Sequence, residues 1–498
     1  MTPGTWLDPS PRRCTWTVFL LLAGLGIFRL YYIQTVPLSE DEAYYWVWSR
    51  HLDWGYFDQG PLVAWLIRLG TMVLGDTELG VRAPAVLLGL GLSLILYDFC
   101  RRVLKDAAVG LWVVVAANTT LLFSVGSIIH TYDTSQAFFW ALALYLTALA
   151  LYDQKPAAWY GAGIATGLAM LAKYSSALLP LTTFLFLLTN SKQRFWLSRK
   201  EPWIGTVLAA LVFSPNLIWN ANHHWATLAF NLGRAGQGWK FTLFDFLGGQ
   251  AVLLGPIGLV LLVWGLGLAW RQSQRGHEQQ ALLLWTSIPV LLLFLGLSVK
   301  TRVQGNWPAP GYLAALPAAV LALKPKLLGS AAWRRWGLAA LLSGLLLVLI
   351  AHMHVPLLRS LELSPRLDPT KKIHGWPQMG VEIGKVLRDW PGKQTPVIFG
   401  LNYQLASLPQ FYIPGQPPAA CLFLPKSKPN AYLFWPGSEA LKGREGLAVV
   451  YGTPPLGKLF QKAELIKKLS IKGPSGAVIH NINLYRCQDF KGRDFRPY

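Results

Sequence analysis

The sequence predicts a polytopic α-helical membrane protein of about eleven spans, followed by an extracytoplasmic α/β domain. Three observations predict it. Hydrophobic residues make up 53% of the 498 and charged residues only 14%, well below the charge content of soluble domains. Apolar runs recur at about the 20-residue length that a helix needs to cross the hydrocarbon core. From about Pro356 those runs stop, and short β-branched stretches take over.

The first apolar run, 15–35, has no small-residue cleavage site after it and reads as an anchoring helix. Further spans are expected near 83–99, 108–125, 136–152, 157–172, 175–189, 203–219, 243–270, 281–298, 309–323 and 337–355. The 157–189 region reads either as a tight hairpin or as a broken helix. Charge sets the orientation. The net charge of +21 would point a soluble protein towards nucleic acid, but here the basic residues gather in short loops between apolar runs. Those loops are "RRVLKD" at 101–106, "SKQRFWLSRK" at 191–200, "RQSQR" at 271–275 and "KPKLLGSAAWRRW" at 324–336. Placed in the cytoplasm, they put the N-terminus inside and, for an odd number of spans, everything after Val355 outside.

Residues 1–355 are therefore expected to form the membrane domain, and 356–498 a soluble domain with strands at "TPVIFG", "GLAVVYG" and "AVIHNINLYRC". Cys421 and Cys487 lie in that outer domain, where oxidising conditions would allow a disulfide, although nothing in the sequence brings the two sulfurs together.

The same topology places the loop 36–82 outside. Its segments "YYWVWSRHL" and "PLVAWLIRLGTMVLG" are aromatic and amphipathic, which suits short helices lying in the interface. The loop carries Glu40, Asp41, Glu42, Asp58, Glu78 and Arg82. Other outer polar residues are His130 and Asp133, then Lys173, then His223, His224 and Arg234, and finally Lys300, Arg302 and Asn306. Lys173, Lys300 and Arg302 run against the positive-inside pattern, and ionisable groups at membrane depth call for a partner or a ligand. Each residue taken singly also has a plainer reading, as a solvated loop residue or a side chain snorkelling to the interface.

Carboxylates facing Lys and Arg at a membrane surface suit one task. An Asp or Glu takes a proton from an acceptor or holds a divalent cation, while Lys and Arg hold a phosphate as it departs with growing charge. Two other classes stay open on the residues alone. A lipid or sugar transporter or flippase would place charges near helix midpoints and broken helices in two matching halves. A non-catalytic assembly factor would use the tail for protein contacts.

In order, "DEAYYWVWSRHLDWGYFDQGPLVAWLIRLG", "GDTELGVRAPAVLLG", "TYDTSQAFFWALALYL", "LAKYSSALL", "SPNLIWNANHHWATLAFNLGRAG" and "RVQGNWPAPGYL" resemble the bacterial branch of glycosyltransferase family 39. That branch is related to the protein O-mannosyltransferases and the lipid A aminoarabinose transferases, and the likeness covers roughly residues 15–320. It implies a C-type glycosyltransferase of the bacterial inner membrane, with active site and C-terminal domain on the periplasmic side. Such an enzyme takes a sugar from a polyprenyl phosphate and passes it, with inversion, to an envelope acceptor: lipid A, a glycolipid, a polysaccharide or protein. The implied partners are that donor, that acceptor and the bilayer, with no nucleic acid.

By the same likeness Asp41 matches the acceptor-activating base. Glu42 matches the acid beside it, which either serves in catalysis or braces the helix. Asp133 matches an acid that orients the acceptor or shares a cation, and Lys173 a lysine near the donor phosphate. Arg82 would reach phosphate or pair with Glu78 four residues earlier. Glu78, His223, Arg302 and Asn306 match positions near donor or sugar, while Asp58 reads as the start of a turn. "NYQLASLPQFY" at 402–412 matches a short pattern that follows the membrane part. No cofactor is required for a monophosphate donor, and a divalent cation on Asp41 and Asp133 is permitted rather than expected.

Overall fold

The computed structural model describes residues 7–236, 239–361, 370–391, 396–435, 438–492 and 495. Apolar stretches become helices because a helix satisfies its own backbone polar groups where no water can. Among the described residues, seven helices are long and apolar enough to cross a membrane: Pro11–Tyr32, Glu78–Arg102, Tyr132–Tyr152, Lys200–Asn222, Glu278–Ser298, Ala309–Gly329 and Ala331–His352. Shorter apolar helices span Leu62–Leu74, Ala107–Asn118, Ala158–Ala172 and Tyr174–Thr189. The chain is thus a multi-pass membrane protein.

Three predicted stretches are broken. Over 108–125 the chain forms Ala107–Asn118 and Leu121–Gly126, the second capped by the Thr120 hydroxyl, which accepts from the Phe123 amide. Over 243–270 it forms Leu243–Leu254 and Pro256–Gln274, which meet at 98°. Gly255 sits at that corner with φ +79°, where a side chain would also strike the backbone of Gly344. Pro256 then opens the next helix, at a position whose N–H would have no partner. The third break, at Lys173, belongs to the candidate site.

The chain divides into two compact units, one comprising Met1–Tyr31, Gln59–Val63 and Ala83–Ala351, the other Tyr32–Asp58, Ala64–Arg82 and His352–Tyr498. The first holds most of the apolar helices. Its core is built on small residues: at Gly163 of Ala158–Ala172, a Cβ would overlap the backbone of Gly205 in Lys200–Asn222. Close backbone approach of this kind is how helices associate in lipid, where burial from water gives no drive.

The second unit is built on a five-stranded sheet of order β2-β1-β3-β5-β4, with β1 Val397–Gly400, β2 Ala419–Cys421, β3 Gly446–Tyr451, β4 Phe460–Lys472 and β5 Val478–Phe490. β1 runs parallel to β2 and β3, whereas β5 is antiparallel to both neighbours. One core packs Trp376, Met379 and Ile383 of helix Trp376–Arg388, and Leu405 and Leu408 of helix Tyr403–Tyr412, on Ile398, Leu447, Val449 and Leu484 of the sheet. Ala43 of helix Glu40–Arg50 is part of that same core, so this helix is folded onto the tail. Cys421 and Cys487 are buried free thiols, so the disulfide that the sequence allowed is not formed.

Candidate active site

Helix Glu40–Arg50 opens with a capping box. The Ser39 hydroxyl accepts from the Glu42 amide at 3.3 Å, and the Glu42 carboxylate accepts from the Ser39 amide at 2.9 Å. Arg82 then grips Glu42 with two bonds of 2.7 Å, from Nε to Oε1 and from Nη2 to Oε2. Its remaining N–H groups donate to the carbonyls of Ile33 (3.1 Å), Val36 (2.6 Å) and Pro37 (2.8 Å). A guanidinium has five N–H donors, so all are used. The two side chains are 2% and 0% exposed.

This geometry corrects two expectations. Arg82 has no donor left for a phosphate and no path to one, and its partner is Glu42 rather than Glu78. Glu42 is the brace that fixes the start of the helix, with no solvent-facing oxygen to act as a base. Glu78 instead faces the Tyr412 hydroxyl, which accepts from the Leu38 amide at 2.6 Å; burial first, and then the Glu78 charge, push that phenol well above its ordinary range.

Asp41 is exposed in the first turn of the same helix, where the helix dipole favours a carboxylate. Its Oδ1 accepts from the Tyr403 hydroxyl at 2.9 Å. Burial pushes the neighbouring Glu40 carboxyl up; Lys372 opposes that, and Asp41 adds to it. The Tyr403 ring lies 4.4 Å from Tyr44, whose hydroxyl donates to Asp58 Oδ2 at 2.7 Å and accepts from the Ala431 amide at 2.6 Å. Asp58, expected as a turn residue, is therefore an anchor for Tyr44. Burial raises both phenols, followed by the charge of Asp58 for Tyr44 and of Asp41 for Tyr403, so both stay protonated as donors.

A second cluster lies in the helical unit and gathers three of the sequence-predicted residues. Lys173 ends helix Ala158–Ala172 in extended backbone (φ −155°, ψ 130°) before the turn Tyr174–Ala177, so the 157–189 region is a helix broken at this residue. Its Nζ lies 2.6 Å from Asp133 Oδ1, and 5.2 Å and 5.7 Å from the ring centroids of Tyr132 and Trp307. Asn306 Nδ2 donates to Asp133 Oδ2 at 2.8 Å. Lys173 is only 6% exposed, which makes it an aromatic-caged ammonium rather than a snorkelling one. Asp133 thus accepts one bond on each carboxylate oxygen, from Lys173 and from Asn306.

The remaining candidates are looser. His223 closes helix Lys200–Asn222 with Nδ1 2.8 Å from the Trp219 carbonyl oxygen and its ring stacked on Trp219 at 4.0 Å. Directly after it, His224 and Trp225 both take left-handed backbone (φ +53° and +56°), which costs on the order of 1–3 kcal/mol each and marks an over-determined turn. Arg302 is exposed on the loop that carries Asn306, and has no ion-pair partner among the described residues. The Arg234 side chain lies outside the described residues. Sequence reasoning passed over Tyr44 and Tyr403 as individual residues; the "NYQLASLPQFY" pattern was the signal for the second.

Over residues 58–219 the sequence matches the family described as dolichyl-phosphate-mannose-protein mannosyltransferase. It is 27% identical over 317 residues to the lipid A galacturonosyltransferase RgtD of Rhizobium johnstonii, covering 60% of this chain and 64% of that one. It is 29% identical over 212 residues to the lipopolysaccharide core galacturonosyltransferase RgtA of the same organism, covering 41% of each. The chain thus spans less than two thirds of the length of either relative. Among solved structures, ArnT from Cupriavidus metallidurans bound to undecaprenyl phosphate superposes with a TM-score of 0.63 at 16% identity, over 94% of this chain and 97% of that one. At that identity the likeness is one of fold. The family 39 resemblance and the C-type fold read from the motifs stand.

Proposed function

We infer, for a chain with the C-type fold and the family 39 motif set, that it is an inner-membrane glycosyltransferase moving a sugar from a polyprenyl phosphate to a lipid A-type envelope acceptor on the periplasmic side. One observation carries the reading: of the adjacent acids on helix Glu40–Arg50, Glu42 is locked by Arg82 while Asp41 presents its carboxylate to solvent. A positioned, accessible carboxylate beside a braced one is the arrangement a general base needs. RgtD is named for transfer to lipid A and ArnT was solved with undecaprenyl phosphate, which supports the substrate class.

In this mechanism an acceptor hydroxyl gives its proton to Asp41 as its oxygen bonds to the anomeric carbon. The bond from that carbon to the phosphate oxygen breaks on the opposite face, so the centre inverts in one step. The polyprenyl phosphate leaves with the bonding electron pair, and the proton passes from Asp41 to solvent. Lys173 and Arg302 supply positive charge for the departing phosphate, and Asp133 and Asn306 hold Lys173 and the acceptor side in place. His223 and Glu78 serve at the edge of the donor or sugar.

The test is transfer by purified enzyme from a panel of undecaprenyl-phosphate-linked uronic acid, hexose and aminopentose to lipid A, beside mass spectrometry of lipid A from a deletion strain. A new lipid A species in vitro and the loss of the same sugar in the strain are expected. Absence of both sinks the proposed function.

Replacing Lys173 with Ala is expected to weaken undecaprenyl phosphate binding by about ten- to a hundredfold, since one charge-assisted contact contributes roughly 1.5–3 kcal/mol. The ligand-induced rise in melting temperature then shrinks at a given lipid concentration. An unchanged rise would leave Lys173 as a structural partner of Asp133 alone.

A further inference from the structure

The tail helix Tyr403–Tyr412 reaches the helix that carries the proposed base, within the same compact unit. The Tyr403 hydroxyl donates to Asp41 Oδ1 at 2.9 Å, although 362 positions separate the two residues. The ring is held independently of that bond. It packs 4.4 Å from Tyr44, and Tyr44 is fixed in turn by Asp58 and by the Ala431 amide. Asn402 caps the helix by accepting from the Leu405 amide at 2.8 Å, and Leu405 is buried in the sheet core. The phenol therefore arrives at Asp41 on a rigid mount.

We propose that Tyr403, a residue of the soluble tail, is the positioning residue of the proposed base: its hydroxyl holds the Asp41 carboxylate in place and favours its charged form. The inference rests on Asp41 being the base. A hydrogen bond donated to a carboxylate stabilises its ionised form, so the bond keeps Asp41 able to accept a proton at lower pH. The other charged and titratable groups around this point are Glu40, Lys372 and Asp58, with the phenols of Tyr44 and Tyr451.

The experiment follows the pH dependence of kcat for full-length Tyr403→Phe, with undecaprenyl-phosphate-linked uronic acid as donor and lipid A as acceptor. The expected result is a tenfold or greater fall in kcat with the donor KM little changed. The acid limb should also move up by about one pH unit, the size of a shift worth one good hydrogen bond. Tyr44→Phe removes a hydroxyl from the same stack that serves Asp58 instead, and should leave the limb in place.

An unmoved limb in Tyr403→Phe overturns the assignment whatever happens to kcat, because the limb position does not depend on the fraction of active protein. Equal movement in both variants, or failure of Tyr403→Phe to fold, makes the hydroxyl structural and also overturns it. Asp41→Asn separates the two layers: an active Asp41→Asn sinks the proposed base, whereas an inactive one beside an unmoved limb in Tyr403→Phe sinks only the role of Tyr403.

Discussion

Replacing Asp41 with Asn is expected to lower transfer by about a hundred- to ten-thousand-fold, the range that a positioned general base contributes. The substitution keeps the shape of the side chain and an oxygen that can still accept from Tyr403, and removes only the ability to take a proton. Asp41 is exposed and outside the core, so the fold has little at stake. The loss of a charge at the helix N-terminus costs about 0.3–1 kcal/mol. The melting temperature and the shift produced by undecaprenyl phosphate should therefore match the parent while initial rates collapse. Rates near the parent's would remove Asp41 from the role. Glu42→Gln should behave in the opposite way, losing stability first, because it weakens a buried charge pair instead of an exposed acid.

Much of the fold was legible because one physical requirement dominates it. Self-satisfied helices of about 20 apolar residues leave a plain mark, and basic loops separate them. Sequence placed the breaks in this pattern less well. The corner at Gly255 involves a close approach by Gly344, which is distant in sequence, whereas the break at Lys173 falls between the expected stretches 157–172 and 175–189.

The acids show the same limit more sharply. Asp41 and Glu42 are neighbours of almost identical chemistry, and nothing local says which one stays accessible. A partial clue was present, since Ser39 followed three residues later by Glu42 is the capping-box spacing and ties Glu42 to the helix start. The deciding partner, Arg82, lies 40 positions on and joins through tertiary structure. For Arg82 a helical pair with Glu78 at four-residue spacing is the local solution, while the fold supplies a buried bidentate carboxylate and three carbonyls. Lys173, Asp133 and Asn306 were named singly from the motif order, and only the structure shows them bonded to one another.

Arg82→Met should destabilise the protein by about 3–5 kcal/mol, the usual result of removing one member of a buried ion pair. The change strands the Glu42 carboxylate without charge compensation and takes donors from Ile33, Val36 and Pro37. Where heat unfolding is irreversible, the effect is read as a shortened half-life at fixed temperature. Pairing it with Glu42→Met restores part of the loss, because a charge-free, well-packed pair avoids the uncompensated carboxylate. Transfer falls with stability in the single variant, since the capping box that Glu42 completes also sets the start of the helix bearing Asp41. A phosphate-binding Arg82 would give a different signature, with the melting temperature intact and the donor KM raised. That outcome would overturn the brace, and with it the reason that Asp41 rather than Glu42 is the acid left for chemistry.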